Sequence, residues 1–401
     1  MLTDLKISLF LAIRMLRRSS KAGTLLTIFI IAMVFTNMIF LSSVIGGSIE
    51  LMNEQTVDFY ISNIIIKPKE DLRTISNSPA LVSKVNRVPG VSHASARYEL
   101  GASLVHSSHE IAMPVIAFDP DDEKMVTRIH EMMKEGQFLT REDRNQIIIG
   151  NYVAGNVDES KDFFESLGGV KTGDPITVSF VNGVSKEYRI KGIFQTKSYQ
   201  TDYKVFISWN EMEQVLGRSL DQSGEILVKT RSGQTEDEVK RNLLSYGVQE
   251  EVKTWREQAG GLFDESIESF QIINHITLIV SLIIAIVVLF IIIMIKTLHN
   301  KREIGVLKAI GIDEEVIIRS YVMQTLIIAI LGITIGFGIV EALIAYFAAY
   351  PIAFPDGDVS LFVEPGIMVE SALLLLFASV IAGYLPAMRI AREDILTAMR
   401  G

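Results

Sequence analysis

The sequence predicts a membrane protein with four transmembrane α-helices and a large mixed α/β extracytoplasmic domain inserted between helices 1 and 2. Three observations predict it. Of 401 residues, 49% are hydrophobic although 21% are charged, a combination that an evenly patterned soluble chain does not show. Four runs are long enough to meet the about 20 apolar residues that a bilayer core demands. Between the first two runs lies a stretch that carries most of the charge.

The first run, residues 24–45 (TLLTIFIIAMVFTNMIFLSSVI), holds no ionisable side chain. It exceeds the about 7 to 15 residues of a signal-peptide core and no A-x-A site closes it, so it reads as a retained span. The second, 271–295, ends in SLIIAIVVLFIIIMI; the third, 317–349, carries only Arg319 and Glu341; the fourth, 366–387, has Glu370 near its start. Glu341 falls toward the outer end of its run, away from any path through the membrane interior. The spans therefore offer almost no polar lining for a hydrophilic substrate.

Lys and Arg set the orientation. Lys6, Arg14, Arg17, Arg18 and Lys21 precede the first span (segment 1–23), Lys296, Lys301, Arg302 and Lys308 follow the second (segment 296–316), and Arg389, Arg392 and Arg400 follow the fourth (segment 388–401). The connection 350–365 has no Lys or Arg and carries Asp356, Asp358 and Glu364. Both termini are thus expected in the cytoplasm of a cell (inner) membrane protein, with residues 46–270 outside. That insertion holds 25 basic and 35 acidic residues and accounts for the net charge of −9. An acidic chain with no long basic run is not a nucleic-acid binder, and zero Cys excludes disulfide, iron–sulfur and thiolate-zinc chemistry.

Within the insertion, β-branched runs at 61–66, 91–105, 111–118, 146–149, 175–181, 186–194, 205–208 and 225–229 read as strands. Ser78-Pro79 and Asp119-Pro120 open helices, 235–246 is another, and Asn182-Gly183 predicts a two-residue hairpin turn. Trp255, Ala259, Leu262, Ile267 and Phe270 recur at helical spacing, a stalk running into the second span, with Gly260 and Gly261 interrupting it as a stalk hinge.

Catalytic and metal motifs give no site. Residues 168–174 (GGVKTGD) place Lys-Thr before a glycine and not after one, so they form no phosphate loop. His106 and His109 flank a turn with no third ligand in view. Asp119, Asp121 and Glu123 imitate a calcium loop, but Lys124 replaces its glycine, and a helix start explains them better. No catalytic residue and no cofactor is expected in this chain.

The segment after the second span is more organised than a connector. Residues 301–309 are good helix formers, Gly311 suits a left-handed helix end, and Asp313, Glu314 and Glu315 form a capped acidic first turn for the next span. At the start of the chain, Leu5, Leu9, Ile13 and Leu16 make a stripe opposite Lys6, Arg14 and Arg17, as in a helix lying at the inner membrane surface. Ordinary anchoring would explain both segments. The stretch KREIGVLKAIGIDEEVI (301–317), however, resembles the E-I-G-x-x-[RK]-A-x-G signature of the ABC transporter permeases typified by MacB, LolC, LolE and FtsX. IIIGNYVA (147–154), GGVKTGDPITVSF (168–180), YRIKGIFQTKSYQTDYKVFISWNEMEQVLG (188–217) and GYLPAMRIAREDILTAMRG (383–401) follow that family's order. Gln324 and Ile395 depart from its usual Glu and Pro.

The resemblance implies a stand-alone permease subunit without a fused ATPase, dimerising with itself or a paralogue and docking two ABC ATP-binding subunits that hold ATP and Mg. It implies further that Arg302, Glu303, Ile304, Gly305, Leu307, Lys308 and Gly311 contact the ATPase, with Ile304 and Leu307 as apolar anchors and Arg302 and Lys308 as a charged rim. Hydrolysis would then be transmitted to the outer domain (mechanotransmission) to extrude or release a hydrophobic substrate such as a lipid, lipoprotein, peptide or drug, with an extracytoplasmic adaptor or lipoprotein open as a further partner. Two rivals stand beside this expectation: an FtsX-like regulator that activates an extracellular cell-wall hydrolase without transport, and a membrane receptor or adhesin.

Overall fold

The computed structural model describes residues 2–18, 20–156, 162, 164–299, 301–354 and 357–391. The chain divides into two compact units: Met1–Glu50 with Ser266–Ala353 and Asp358–Gly401, and Leu51–Glu265 with Phe354–Gly357.

In the first unit the four apolar runs are helices: Lys21–Gln55, Trp255–His299, Glu314–Ala349 and Pro365–Ala391. Each is longer than its apolar run because the helix continues into polar sequence, where intrahelical hydrogen bonds still satisfy the backbone. The helix Trp255–His299 passes through Gly260 and Gly261 without a break, which corrects the expected interruption. Two glycines cost about 1 kcal/mol each in helix propensity, too little to break a 45-residue helix.

The first and third spans pack through small residues. Gly332 and Gly336 form a G-x-x-x-G pair, and a Cβ on Gly332 would stand 2.6 Å from Ile31 Cγ2, one on Gly336 2.9 Å from the Ala32 carbonyl. Thr36 Oγ1 donates to the Gly336 carbonyl at 3.5 Å. Without a hydrophobic drive between helices in lipid, such close backbone approach supplies the contact energy. Ile31, Phe35, Ile39, Leu289, Ile328 and Leu375 complete the interior of the bundle.

The second unit is built on a ten-stranded mixed sheet. Its strands are β1 (Ile64–Lys67), β2 (Val91–His106), β3 (His109–Phe118), β4 (Met133–Gly136), β5 (Gln146–Gly150), β6 (Pro175–Phe180), β7 (Ser185–Phe194), β8 (Val205–Ser208), β9 (Glu225–Thr230) and β10 (Glu251–Thr254). The order is β10-β1-β9-β2-β3-β8-β5-β7-β4, with β6 pairing β2 and β7. Pairs β3–β8 and β5–β7 are parallel, the others antiparallel.

Uninterrupted apolar strands in this sheet follow from burial on both faces. Ile147 and Ile149 enter one core cluster, and Ile148 between them enters another with Phe118, Phe194 and Phe206. Ile64 and Ile66 likewise meet Val239 and Leu243 of the helix Glu236–Ser245, while Ile65 faces Leu227 on the other side. At Asn182-Gly183 only the glycine takes a left-handed φ, +89°. Phe180 and Val184 close a three-residue connection, not the two-residue turn expected, because a two-residue type I′ turn needs positive φ at both central residues.

Asp119 caps the helix Pro120–Val126 by accepting from the Asp121 and Asp122 amides and also receives Arg141 Nε at 2.7 Å. Asp202, 1% exposed, accepts from the Thr196 amide at 2.7 Å, Thr196 Oγ1 at 2.8 Å and the Lys197 amide at 3.0 Å. Burial outweighs these donors and pushes its carboxyl up to about 6.

Two predictions follow from this packing. Gly332→Leu is expected to cost about 1–3 kcal/mol by overpacking, read as a lowered thermal midpoint in detergent, whereas Gly338→Leu, with nothing within 4 Å, leaves it unchanged. The folded state binds the Asp202 proton more tightly than the unfolded chain does, so this group's contribution to stability falls as pH rises from 3.8 to about 6. Asp202→Asn, which keeps an acceptor for Thr196, is expected to remove that decline; equal pH slopes for the two proteins would refute the assignment.

Candidate functional site

The residues singled out from the sequence gather on a short helix, Lys301–Ala309, at the basic end of the first unit. Its end is set by Gly311 at φ +87°. The Gly311 amide donates to the Lys308 carbonyl at 3.0 Å and the Ile312 amide to the Leu307 carbonyl at 3.1 Å, the paired closure that a left-handed glycine permits. Leu307 and Ile312 pack against the same cluster, the apolar contact that accompanies this closure. Asp313 takes the N-cap position of the third span, but its side chain makes no capping hydrogen bond. The acidic first turn is occupied instead by ion pairs: Glu314 with Lys308 at 2.7 Å and Glu315 with Arg319 at 2.6 Å.

Ile304 does not serve as a surface anchor in this structure. It is 1% exposed and packs with Ile317, Tyr321 and Ala387 of the third and fourth spans, Met15 joining from the N-terminal helix. Leu307 is half-buried in the same cluster and Gly305 is buried. The apolar side chains that face outward are Val306, 47% exposed, and Ile310, 69% exposed. Lys308 is 11% exposed at its side chain and bound to Glu314, so it braces the turn. The side chains of Arg302 and Glu303 lie outside the described set, as do residues 392–401 with Arg392, Ile395 and Arg400.

The N-terminal helix Leu2–Arg18 packs on the protein through a second face, beside the stripe read as lying on the membrane surface. Ser8 and Ala12 are fully buried, and Ser8 Oγ donates to the Val316 carbonyl at 3.3 Å. Leu9 and Ile13 are exposed. Small residues face the third span because they allow close approach, Met15 and Leu16 pack further along the helix, and Leu9 and Ile13 face outward.

In the second unit the structure assembles a charged cluster that the linear sequence did not show. Arg97, 1% exposed, gives Nη2 to Glu123 at 2.5 Å and Nη1 to the Tyr60 carbonyl at 2.9 Å. Ser95 and Thr127 complete the Glu123 carboxylate at 2.8 and 3.0 Å. Glu225 stands 3.5 Å from Arg97, and half-buried Lys204 lies 4.1 Å above the Tyr60 ring. Burial and then Arg97 lower the Lys204 amine to about 8, while burial and then Glu225 raise the Glu99 carboxyl. A cleft of about 420 Å³ opens here, lined by Lys67, Arg73, Tyr98, Glu99 and Glu225. With both signs of charge on its walls, it can hold a polar group of mixed charge. Strand alternation placed Arg97 among core positions, and an arginine in such a run is the signal that could have marked the cluster.

His93 borders this cluster, its Nε2 lying 3.0 Å from Asp122 Oδ1, while the two histidines singled out from the sequence lie elsewhere. His106 and His109 are paired across the β2–β3 turn; His106 Nδ1 lies 3.0 Å from the Pro175 carbonyl and His109 packs on Gly168. Glu341 is on an exposed side of the third-span helix.

No curated protein matches the chain. Among solved structures, it is similar to the extracellular domain of a noncanonic ABC-type transporter, YknZ, from Gram-positive bacteria, at 11% identity and a TM-score of 0.35, covering 48% of this chain and 97% of that one. It is similar also to the periplasmic region of MacB from Actinobacillus actinomycetemcomitans, at 12% identity and a TM-score of 0.36, covering 55% and 98%. A domain of a putative permease protein from Porphyromonas gingivalis matches at 17% identity and a TM-score of 0.32, covering 47% and 87%. Two family models match in succession: the MacB-like periplasmic core domain over residues 24–246 and the FtsX-like permease C-terminal domain over residues 276–395. The first alone takes in more than half of the 401 residues, and the second includes the short helix with the two spans that follow it. The chain therefore belongs to the MacB/FtsX-type family of ABC transporter permeases, which are transporter subunits and not enzymes.

Proposed function

We propose that this chain is the membrane subunit of an ATP-driven machine in which a separate ABC ATP-binding subunit docks on the short helix Lys301–Ala309. Two copies of that subunit serve a pair of permease chains and bind the ATP and Mg; the permease holds neither. The basic flanks face the cytoplasm and the inserted domain faces outward. Hydrolysis shifts the spans, and the inserted domain grips or releases a hydrophobic substrate, a lipid, lipoprotein, peptide or drug. Coupling in this sense joins two distinct sites through one change of state.

One observation carries the reading: the short helix is tied into the spans by buried Ile304 while it presents Val306 and Ile310 outward. A helix that only anchored the chain would have no need of a tight glycine closure and a buried tie. Further support comes from the single helix Trp255–His299, which puts no loop between the end of β10 and the approach to the short helix, and from spans that carry almost no ionisable group. Gly260 and Gly261 are where that helix would bend under load.

The test separates docking from folding. Val306→Asp and Ile310→Asp are expected to leave the detergent-solubilised permease folded and to cut stimulated ATP hydrolysis in reconstituted complexes about tenfold or more, as loss of an apolar interface anchor does. Ile304→Asp is expected to destabilise the permease itself by about 3–5 kcal/mol through an unpaired buried charge. Unchanged stimulation in both surface variants would remove the short helix as the docking site.

A further inference from the structure

Gln324 is a polar group that the spans bury without satisfying. It stands about 10 Å along the third-span helix from Ile317 at 1.5 Å per residue, inside a hydrocarbon core about 30 Å thick. Its side chain is 3% exposed, and Nε2 is buried with no hydrogen-bond partner among the described residues. An amide N–H left unpaired in such surroundings is strongly unfavourable, because neither lipid tails nor apolar side chains accept from it.

Gln324 lines a small cavity, about 20 Å³ in volume, between the first, second and third spans, together with Thr27, Leu289, Ile293, Tyr321 and Thr325. One water needs about 10–15 Å³ of such space and about two to four polar groups to receive it. Thr27, Gln324 and Thr325 supply three. Their chemistry restricts what can sit there. Thr27 Oγ1 donates to the Gly23 carbonyl at 2.8 Å and Thr325 Oγ1 to the Tyr321 carbonyl at 2.9 Å. Each hydroxyl has thereby committed its proton and has lone pairs left to offer. Gln324 Nε2 brings the opposite, N–H groups and no lone pair. A cation would be opposed by the amide, and an anion by the hydroxyl oxygens. A water accepts from the first and donates to the other two.

We propose that this cavity is a binding site for one water molecule, which accepts from Gln324 Nε2 and donates to Thr27 and Thr325, joining the first span to the third. Tyr321 lines the cavity and also packs with Ile304, so the site lies beside the seat of the short helix. On the coupling reading above, a shift of the third span against the first would stretch this bridge. A water can follow such a shift by remaking its hydrogen bonds, whereas closely fitted apolar groups would open a void.

The test uses the full-length permease alone, so its outcome does not depend on where an ATP-binding subunit docks. In a high-resolution structure of the chain in lipid nanodiscs, one density is expected within hydrogen-bond distance of Gln324 Nε2 and both hydroxyls, unchanged when bromide replaces chloride. A double-mutant cycle reads the same bridge through residues that make no direct hydrogen bond. Thr27→Val is expected to lower the thermal midpoint by about 2–4 °C in the parent chain and by less than about 1 °C in the Gln324→Leu background, where no donor holds the water. Equal shifts in the two backgrounds, or a cavity without density, overturn the site. A density that strengthens with bromide makes the occupant an anion and overturns it too. Should Gln324→Leu fail to fold, the density decides.

Discussion

Hydrocarbon accepts no unpaired hydrogen-bonding group, and the first unit is arranged around that constraint. Its hydroxyl side chains turn back onto their own helices: Thr27 to the Gly23 carbonyl, Ser42 to Met38, Thr325 to Tyr321 and Ser379 to Leu375. With these four hydroxyls settled locally, much of the association between helices is left to shape. Gly332 and Gly336 let the third span approach the first closely enough for Thr36 to reach across to a backbone carbonyl. The second unit solves a different problem, because it buries a full charge in Arg97 and must surround it. Glu123, the Tyr60 carbonyl and Glu225 do so, a geometry in which removal of one partner costs more than the pair contributes.

Most of the architecture was legible in the residue order for reasons that apply to both units. An apolar run of about 20 residues has one stable form in a bilayer, so the spans could be placed from composition. The strands at 147–149, 205–208 and 226–228 were visible as β-branched runs, since a sheet covered on both faces needs no alternation. Sheet order was not visible. Pairings such as β3 beside β8, parallel and separated by nearly ninety positions, are set by helices and loops that make no local signature.

For the short helix, the sequence showed the helix and its glycine end but not which side faces inward: Ile304 and Leu307, expected as outward anchors, both pack inward. At the N-terminal helix the stripe read as lying on the membrane surface keeps Leu9 and Ile13 outward, and the protein contact goes to Ser8 and Ala12, whose size allows close packing. Ile304 was taken for a surface anchor because periodicity gives a face but not the neighbour that covers it.

Burial of Ile304 changes what a force on the short helix would do. A helix attached only by its two chain ends could tilt about them, and a push on its outer side would be lost in that motion. Here Ile304 is seated among Ile317, Tyr321 and Ala387, the C-terminal turn is locked by Gly311, and Lys308 is tied to Glu314. Tilting would open a cavity where Ile304 sits, at a cost comparable to a core truncation of about 2–5 kcal/mol. On the proposed reading, load applied at Val306 and Ile310 would pass to the third and fourth spans together. Met15 belongs to the same cluster, so the N-terminal helix shares the contact that such a load would have to break.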